Sequence, residues 1–321
     1  MVDIIDTQLI AMLQSGFPLI RRPFYQIGKM LGLSTAEVIG SIDAYKKMGV
    51  IREISAIVNP HSLGYNTTLV ALQVPVRLID RCSEPIGKHP LISHAYLRNH
   101  SLNLWITLAV NKKHNAQDEI ETISRSCSAT EAVNLPSVKL YKLKAVFDET
   151  DGCPQQPLQQ GHTGIHELTA TQKEVLKAIQ CDLPLVPAPF DQLSSQIGIT
   201  AEEFLDVAKE LESKGIIKRY GANINHRGLG YSYNAMTCFS VDGSEADRLG
   251  YYLSRQKQVS HCYLRQPHQL FTYNLYAMIH CSNEADYESF MRRTTAETGH
   301  NEYLSLVSEK EIKKTRNRYN P

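Results

Sequence analysis

The chain has 321 residues, enough for two domains with cores of their own, and a net charge of +1. That balance excludes a protein drawn broadly to nucleic acid or an anionic membrane by charge alone. Seven cysteines (82, 127, 153, 181, 238, 262, 281) form neither a CxxC pair nor a metal-ligand spacing, so they read as reduced thiols. The start, MVDIIDTQLIAML, lacks the basic flank and long apolar run of a signal peptide, and no stretch reaches membrane-span length. A soluble cytoplasmic protein is expected.

In chain order, apolar residues at helical spacing (Ile5, Leu9, Ile10, Leu13) behind Asp3 and Asp6 predict a helix over 3–14. Pro23 opens a short helix ending near Gly32, and Ser34 with Glu37 forms a capping box for a third helix that runs to Gly49. Three short helices with glycine turns make a helix-turn-helix head. Strand-like runs follow at 52–59, 67–75, 92–99 and 102–110, with helical patterns near 78–88 and 114–127 and a final strand at 137–147. The β-α-β-β-α-β order predicts a ferredoxin-like sandwich. Residues 150–167, rich in Pro, Gln and Gly, read as a linker. Helices over 170–214 and strand-like runs at 216–225, 232–241, 259–265 and 270–281 then repeat the plan, before a basic tail.

The repeat is visible in the letters. GFPLIRRPF (16–24) returns as DLPLVPAPF (182–190), KKMGVIREI (46–54) as ESKGIIKRY (212–220), and LGY (63–65) at 229–231. SHAYLR (93–98) returns as SHCYLR (260–265), and NLW (103–105) as NLY (274–276). The fold class is therefore α+β, a tandem duplication of a helix-turn-helix (winged-helix-like) domain followed by a ferredoxin-like βαββαβ domain. The expected boundaries are 1–52 and 53–149 for copy one, 150–167 for the linker, 168–218 and 219–310 for copy two, and 311–321 for the tail.

This plan resembles the Lrp/AsnC transcription regulators, which implies DNA binding through the heads and small ligands on the sandwich. The recognition-helix segment of copy two, TAEEFLDVAKELESK (200–214), holds five acids against two lysines. Its counterpart at 34–48 balances two acids with two lysines. A groove-reading helix needs cations for phosphates, so DNA is not the expected partner.

Two segments carry chemistry instead. On an extended strand His94, Tyr96 and Arg98 share one face, as do His261, Tyr263 and Arg265. An isolated His–Arg pair is ordinarily a solvated sheet face; the same row kept in both copies points to lining for an anionic, aromatic ligand. Arginine forks a carboxylate, and histidine moves a proton or ligates a metal near neutral pH. Trp105 and Tyr276, at matching positions on the next strand, are expected as flat apolar walls. Tyr65 and Tyr231 in the LGY motifs read as turn-fixing residues. His61, His89, His114, His162, His166 and His280 read as surface or loop residues with no role. Arg21 and Arg22 sit together on a proline-bounded loop, and copy two has Pro187 and Ala188 there.

The string FPLIRRPF, LGLS, EVI, MGVIR, LGY, then H-x-Y-L-R-x-H and N-L-W, closely resembles the siroheme decarboxylases, with relatives in heme d1 biosynthesis. In that family two related subunits pair; here both are joined, so the linker tethers a heterodimer. The resemblance implies loss of two acetate carboxylates of siroheme as CO2, giving 12,18-didecarboxysiroheme. It implies a non-redox carboxy-lyase that needs no cofactor beyond the iron its substrate carries. His94 and His261 are expected as proton-transfer or iron-facing residues, with His100 and His268 as second-choice acids or axial ligands. Arg98, Arg265, Arg21 and Arg22 are expected as carboxylate clamps. Because the arginine pair is confined to copy one, one main pocket is expected there. Further homo-oligomerisation is left open, and the alternative function is a tetrapyrrole-responsive regulator.

Overall fold

The computed structural model describes residues 4–143, 164–224 and 232–320. They fall into two compact units, Met1–Gly64 with Thr163–Leu229 and Arg318–Pro321, and Tyr65–His162 with Gly230–Asn317. Each unit is built from both copies, so the division runs head with head and sandwich with sandwich. Among the described residues no helix is long and apolar enough to cross a membrane.

The first unit holds α1 (Ile4–Ser15), α2 (Pro23–Leu31), α3 (Thr35–Lys47) and β1 (Ile51–Val58) of copy one. Copy two supplies α6 (Ala170–Ile179), α7 (Pro189–Gln196), α8 (Ala201–Ser213) and β6 (Ile217–Ile224). The helix signals in the sequence are realised. Pro23 and Pro189 open α2 and α7, and Gly32 closes α2 at φ 72°. Ser34 and Glu37 form the capping box of α3. β1 pairs antiparallel with β6, with Ser55 opposite Gly221 and Ala56 opposite Tyr220. From sequence, β1 is expected in the sandwich, beyond a boundary at residue 52; it stays with the heads because its ladder partner is the other head's strand. Aromatic packing crosses the copies too, with Phe17 edge-on to Tyr220 at 5.4 Å.

In the second unit copy one contributes β2 (Tyr65–Gln73), α4 (Ile79–Lys88), β3 (Ile92–Arg98), β4 (Leu104–Asn111), α5 (Ala116–Ser126) and β5 (Glu131–Leu143). Copy two contributes β7 (Tyr233–Phe239), α9 (Gly243–Ser254), β8 (Val259–Arg265), β9 (Leu275–Cys281), α10 (Glu284–Thr298) and β10 (Tyr303–Lys314). Each copy forms the expected βαββαβ sheet. The two sheets then close into one eight-stranded barrel, β10-β3-β4-β2-β5-β8-β9-β7. Closure falls to the two longest strands. β5 pairs with β2 up to Pro136 and with β8 from Ser137; β10 pairs with β7 up to Val307 and with β3 from Ser308.

Alternation along the strands builds three apolar layers. Val70, Leu72, Leu104, Ile106 and Leu108 face α4 and α5 through Cys82, Ile86, Ile120 and Ile123. A matching layer packs copy two against α9 and α10. Leu69, Ala71, Trp105, Leu135, Met236, Cys238, Tyr276 and Leu306 point the other way, into one core shared by both copies.

Two expectations change here, and others fall outside the described residues. The final strand of copy one begins at Glu131, not 137. Pro136, which obscures the run, sits at the handover between two partner strands, where its carbonyl accepts from the Gln266 amide. The expected end of that strand at 144–147, most of the linker (150–163), and Tyr231 lie outside the described residues. The basic tail is not a tail at its start, for β10 runs to Lys314. Its lysines hide the strand because they serve α4: Lys310 pairs with Asp80, and Lys313 donates to the carbonyls of Ile86 and His89. Farther on, in the first unit, buried Tyr319 trades two backbone bonds with the buried Gln180 amide.

Candidate functional site in the eight-stranded barrel

β3 and β8 present the two S-H-x-Y-L-R rows. Each carries a β-bulge at its serine, between Ile92 and His94 and between Val259 and His261. A bulge turns two successive side chains to one side, and the serines accordingly meet the histidines. Ser93 Oγ lies 2.9 Å from His94 Nδ1, and Ser260 Oγ 2.7 Å from His261 Nδ1. Below the bulge the expected common face is present. His94 stacks on Tyr96 at 6.3 Å and Arg98 lies over that ring at 5.4 Å. In copy two His261 stacks on Tyr263 at 6.5 Å, with Arg265 over it at 4.8 Å.

The arginines are the electrostatic centre. Arg98 is 4% exposed. Its Nη1 donates to the Leu306 carbonyl at 2.6 Å and to Ser308 Oγ at 3.1 Å, across the β10–β3 seam. Arg265 Nη1 donates to the Leu135 carbonyl at 2.8 Å beside the β5–β8 seam. Neither Nε has a partner, and among the described residues no carboxylate pairs with either guanidinium. Burial pulls Arg98 down to about 10 and lowers Arg265 as well. Both charges act on the buried Cys238 thiol, which burial nonetheless pushes up. Two cations facing one core without an acid, one buried and one half-buried, are costly unless an anion joins them.

His100 and His268 sit in the turns after these strands and make the same local bond. His100 Nδ1 accepts from Leu102 N at 3.0 Å, and His268 Nδ1 from Leu270 N at 3.2 Å. In the neutral rings the proton is then on Nε2. His100 is half-buried, edge-on to Phe271 of the other copy at 5.6 Å, and burial lowers its pKa. His268 is exposed.

Four nominated residues behave otherwise. Trp105 is 1% exposed, donates to the Leu102 carbonyl and packs on Phe271, and Tyr276 is buried beside it. Both are floor beneath the site rather than open walls. Arg21 lies in the other unit, exposed and forked onto Asp191, Nε donating to Oδ1 at 2.9 Å and Nη2 to Oδ2 at 2.9 Å. Its carboxylate is thus supplied by copy two, which answers the charge a ligand was expected to answer. Arg22 is exposed at the start of α2, also in the first unit. The structure gathers His94, Tyr96, Arg98, His100, Trp105, His261, Tyr263, Arg265 and His268 in the barrel unit, and leaves the arginine pair out of it.

Sequence reasoning missed Ser93, Ser260, Asn234 and His280. The serines had a signal, since S-H recurs in both copies. His280, set aside as a surface residue, meets Ser260 Oγ with Nε2 at 2.7 Å, and its Nδ1 meets Asn234 Oδ1. It had no signal, because copy one has Ala109 at the matching place. A separate small cavity of about 180 Å³, lined by Tyr65, Leu91 and His114 among others, contains none of the nominated residues.

With this geometry in view, the likenesses to known proteins are specific. The AsnC-like ligand binding domain matches residues 62–142 and 228–313. The siroheme decarboxylase NirDL-like HTH domain matches 6–52 and 172–218. The siroheme decarboxylase of Hydrogenobacter thermophilus is 28% identical over 97% of this chain and 94% of its own. The siroheme decarboxylase NirDL subunit of Paracoccus pantotrophus is 31% identical over 89% and 87%. The beta subunit of Methanosarcina barkeri siroheme decarboxylase matches only 45% of this chain but 95% of itself, at 34% identity. Among solved structures, siroheme decarboxylase NirDL superposes with a TM-score of 0.73 at 26% identity over 98% of this chain and 94% of that one. A NirDL structure in co-complex with an iron-uroporphyrin III analogue gives 0.74 at 25% over 99% and 95%. A bulged H-x-Y-L-R row in each of two joined copies, and full-length likeness to NirDL, place this chain in the siroheme decarboxylase family, in its fused form.

Proposed function

We propose that the chain decarboxylates siroheme, removing two acetate carboxylates as CO2 to give 12,18-didecarboxysiroheme, the compound that both heme and heme d1 assembly can use. The observation that carries this reading is the pair of guanidiniums without an acid of their own among the described residues, that of Arg98 buried and that of the half-buried Arg265 with its Nε withdrawn from water. A polycarboxylated macrocycle supplies what they lack, and carboxylates held by buried arginines are held strongly. The tyrosines stacked on each histidine offer planar faces to a planar substrate.

The reaction asks little else of the protein. The bond between the acetate methylene and its carboxylate breaks, CO2 leaves, and the electron pair stays on the methylene carbon conjugated with the ring. A proton then completes the methyl group. His94 and His261 are the proton carriers or iron-facing groups in this reading, and His100 or His268 the reserve acids, whose turn bonds keep the proton on Nε2. The electron pair moves within the substrate, so the step requires neither redox partner nor added cofactor.

The regulator reading is weakened by α8, whose five acids are all exposed while Lys214 and Lys209 pair with Glu210 and Asp206. The test is anaerobic incubation of the purified chain with siroheme and mass spectrometry of the extracted pigment. Loss of two CO2 units is expected. Tight binding without loss would favour the regulator, and no binding would remove the tetrapyrrole reading.

A further inference from the structure

Some contacts between the copies are the same in both directions, and some are not. In the barrel unit Lys139 on β5 pairs with Asp247 on α9, and its counterpart Lys310 on β10 pairs with Asp80 on α4. Lys142 donates to the Gln256 carbonyl just past α9, and its counterpart Lys313 to the His89 carbonyl just past α4. Contacts that recur in this way hold the seams closed but cannot tell one copy from the other. Between the lysines the seams differ. Tyr141 donates to Asp247 Oδ1 at 2.6 Å and covers Gly250 so closely that a Cβ there would stand 2.7 Å from two ring carbons. The matching residues of the other seam are Ile312 and Ser83, with Ile312 packed on the apolar layer of copy one. Copy one paired with itself would set Tyr141 on Ser83 at both seams, where the serine side chain takes the space the ring needs. The ring has little freedom to swing aside, since Lys139 lies over its face at 5.1 Å and a carboxylate holds its hydroxyl.

In the first unit the asymmetry is one of charge. Lys46 of copy one donates to both oxygens of Asp182 of copy two, at 2.7 and 2.6 Å, and the same carboxylate accepts from the Ile54 amide at 2.8 Å. Arg21 meets Asp191 in the same sense. In both pairs the cation belongs to copy one and the acid to copy two. The matching residues are Glu212 for Lys46, Gly16 for Asp182, Pro187 for Arg21 and Tyr25 for Asp191. Copy two paired with itself would bring Glu212 against Asp182 twice, like charges where opposite ones now meet. Copy one paired with itself would lose both acids. We infer that the fit of Tyr141 over Gly250 and the facing of Lys46 by Asp182 make the two copies select each other. The aromatic seam excludes a pair of first copies, and the charge pattern excludes a pair of second copies. This selection concerns assembly and holds whatever substrate the chain turns over.

The experiment has two arms. In the first, the full chain with a protease site between residues 150 and 163 is cut, and unlabelled and 15N-labelled samples are mixed, diluted and reconcentrated. Native mass spectrometry then weighs the pairs. Wild type is expected to give only pairs of one first and one second copy, with labels scrambled. Ser83→Gly clears the space under Tyr141 in a pair of first copies and leaves the Tyr141–Gly250 contact alone; it is expected to raise such pairs by about tenfold or more. Glu212→Lys is expected to do the same for pairs of second copies. Like pairs as abundant as mixed ones in wild type, or unchanged in the variants, would overturn the inference. The second arm melts the uncut chain and needs no exchange of fragments. Gly250→Ser is expected to lower the melting temperature by about 3–6 °C, and adding Tyr141→Ile, which reproduces the other seam, to recover most of that. Lys46→Glu is expected to lower it too, by an amount that high salt shrinks. A Gly250→Ser chain as stable as wild type, or one that Tyr141→Ile leaves unrestored, would overturn the aromatic half, and a Lys46→Glu loss indifferent to salt the charge half.

Discussion

Arg98 shows how a residue can weaken an empty protein and still be what a ligand needs. Its guanidinium is buried, bonded to one carbonyl and one hydroxyl, and answered by no carboxylate among the described residues. Replacing it by methionine loses those bonds but also removes a buried charge, two effects of opposite sign. Arg98→Met is expected to leave the melting temperature of the empty protein nearly unchanged. It is expected to weaken siroheme binding by about 1.5–3 kcal/mol, the worth of charge-assisted hydrogen bonds; an absorbance titration beside thermal melts checks both. Arg21 is the contrast. Forked onto Asp191 at the surface, its Arg21→Ala variant is expected to lose CO2 at the wild-type rate, and a large drop would return it to the site. His100 carries a pH signature. Burial lowers its pKa from the ordinary 6.5, so below about 6.5 the unfolded chain takes up a proton that the folded ring resists. Stability is lost as pH falls through that window. The loss is complete once pH is below the lowered folded value. His100→Gln, which keeps an acceptor for Leu102 N, should show a smaller fall in melting temperature between about pH 7.5 and pH 5.

At the scale of elements, much was legible because local chemistry and tertiary structure agree. The prolines opening α2 and α7, the Ser34–Glu37 box and the two-residue alternation of β3 and β8 are decisions a short segment makes by itself. What escaped was decided elsewhere in the chain. β1 alternates like a sandwich strand, and only its partner β6 assigns it to the heads. β5 carries a proline in mid-strand because two neighbours share it. Trp105 looked like a ligand wall because the sequence cannot tell that both sheets turn the same face toward a single core. The relay ending at His280 required two strands in register, and the repeat, which exposed the rest of the site, concealed a feature of one copy. Close approach between elements is testable at Gly221. A Cβ there would stand 2.6 Å from the Leu13 carbonyl oxygen and 3.2 Å from that of Gln14, so α1 lies directly on β6. Gly221→Ala is expected to cost about 1–3 kcal/mol, since the obstacle is backbone and cannot rotate away. Hydrogen exchange would show it as lost protection of the β1–β6 ladder amides.

The whole molecule is a heterodimer written as one chain, with neither compact unit belonging to one copy. The heads share the β1–β6 ladder, and the barrel is sealed by β5–β8 and by β10–β3. A copy alone would expose the edges of β3 and β5, or of β8 and β10, together with half of the core that holds Trp105, Met236 and Tyr276. The linker between the copies therefore raises the effective concentration of one for the other and need not shape the site. A protease site placed between residues 150 and 163 tests this. After cleavage the two fragments are expected to remain together on gel filtration and to release both CO2 units at close to the uncut rate, because the three ladders persist without the link. On dilution the cut protein should lose activity while the uncut chain does not, since only the former can separate. The split subunits of related decarboxylases each match about half of this chain, the division that the cut protein would reproduce. Fragments that part at once, or that stay paired but release no CO2, would instead give the linker a part in holding the barrel closed.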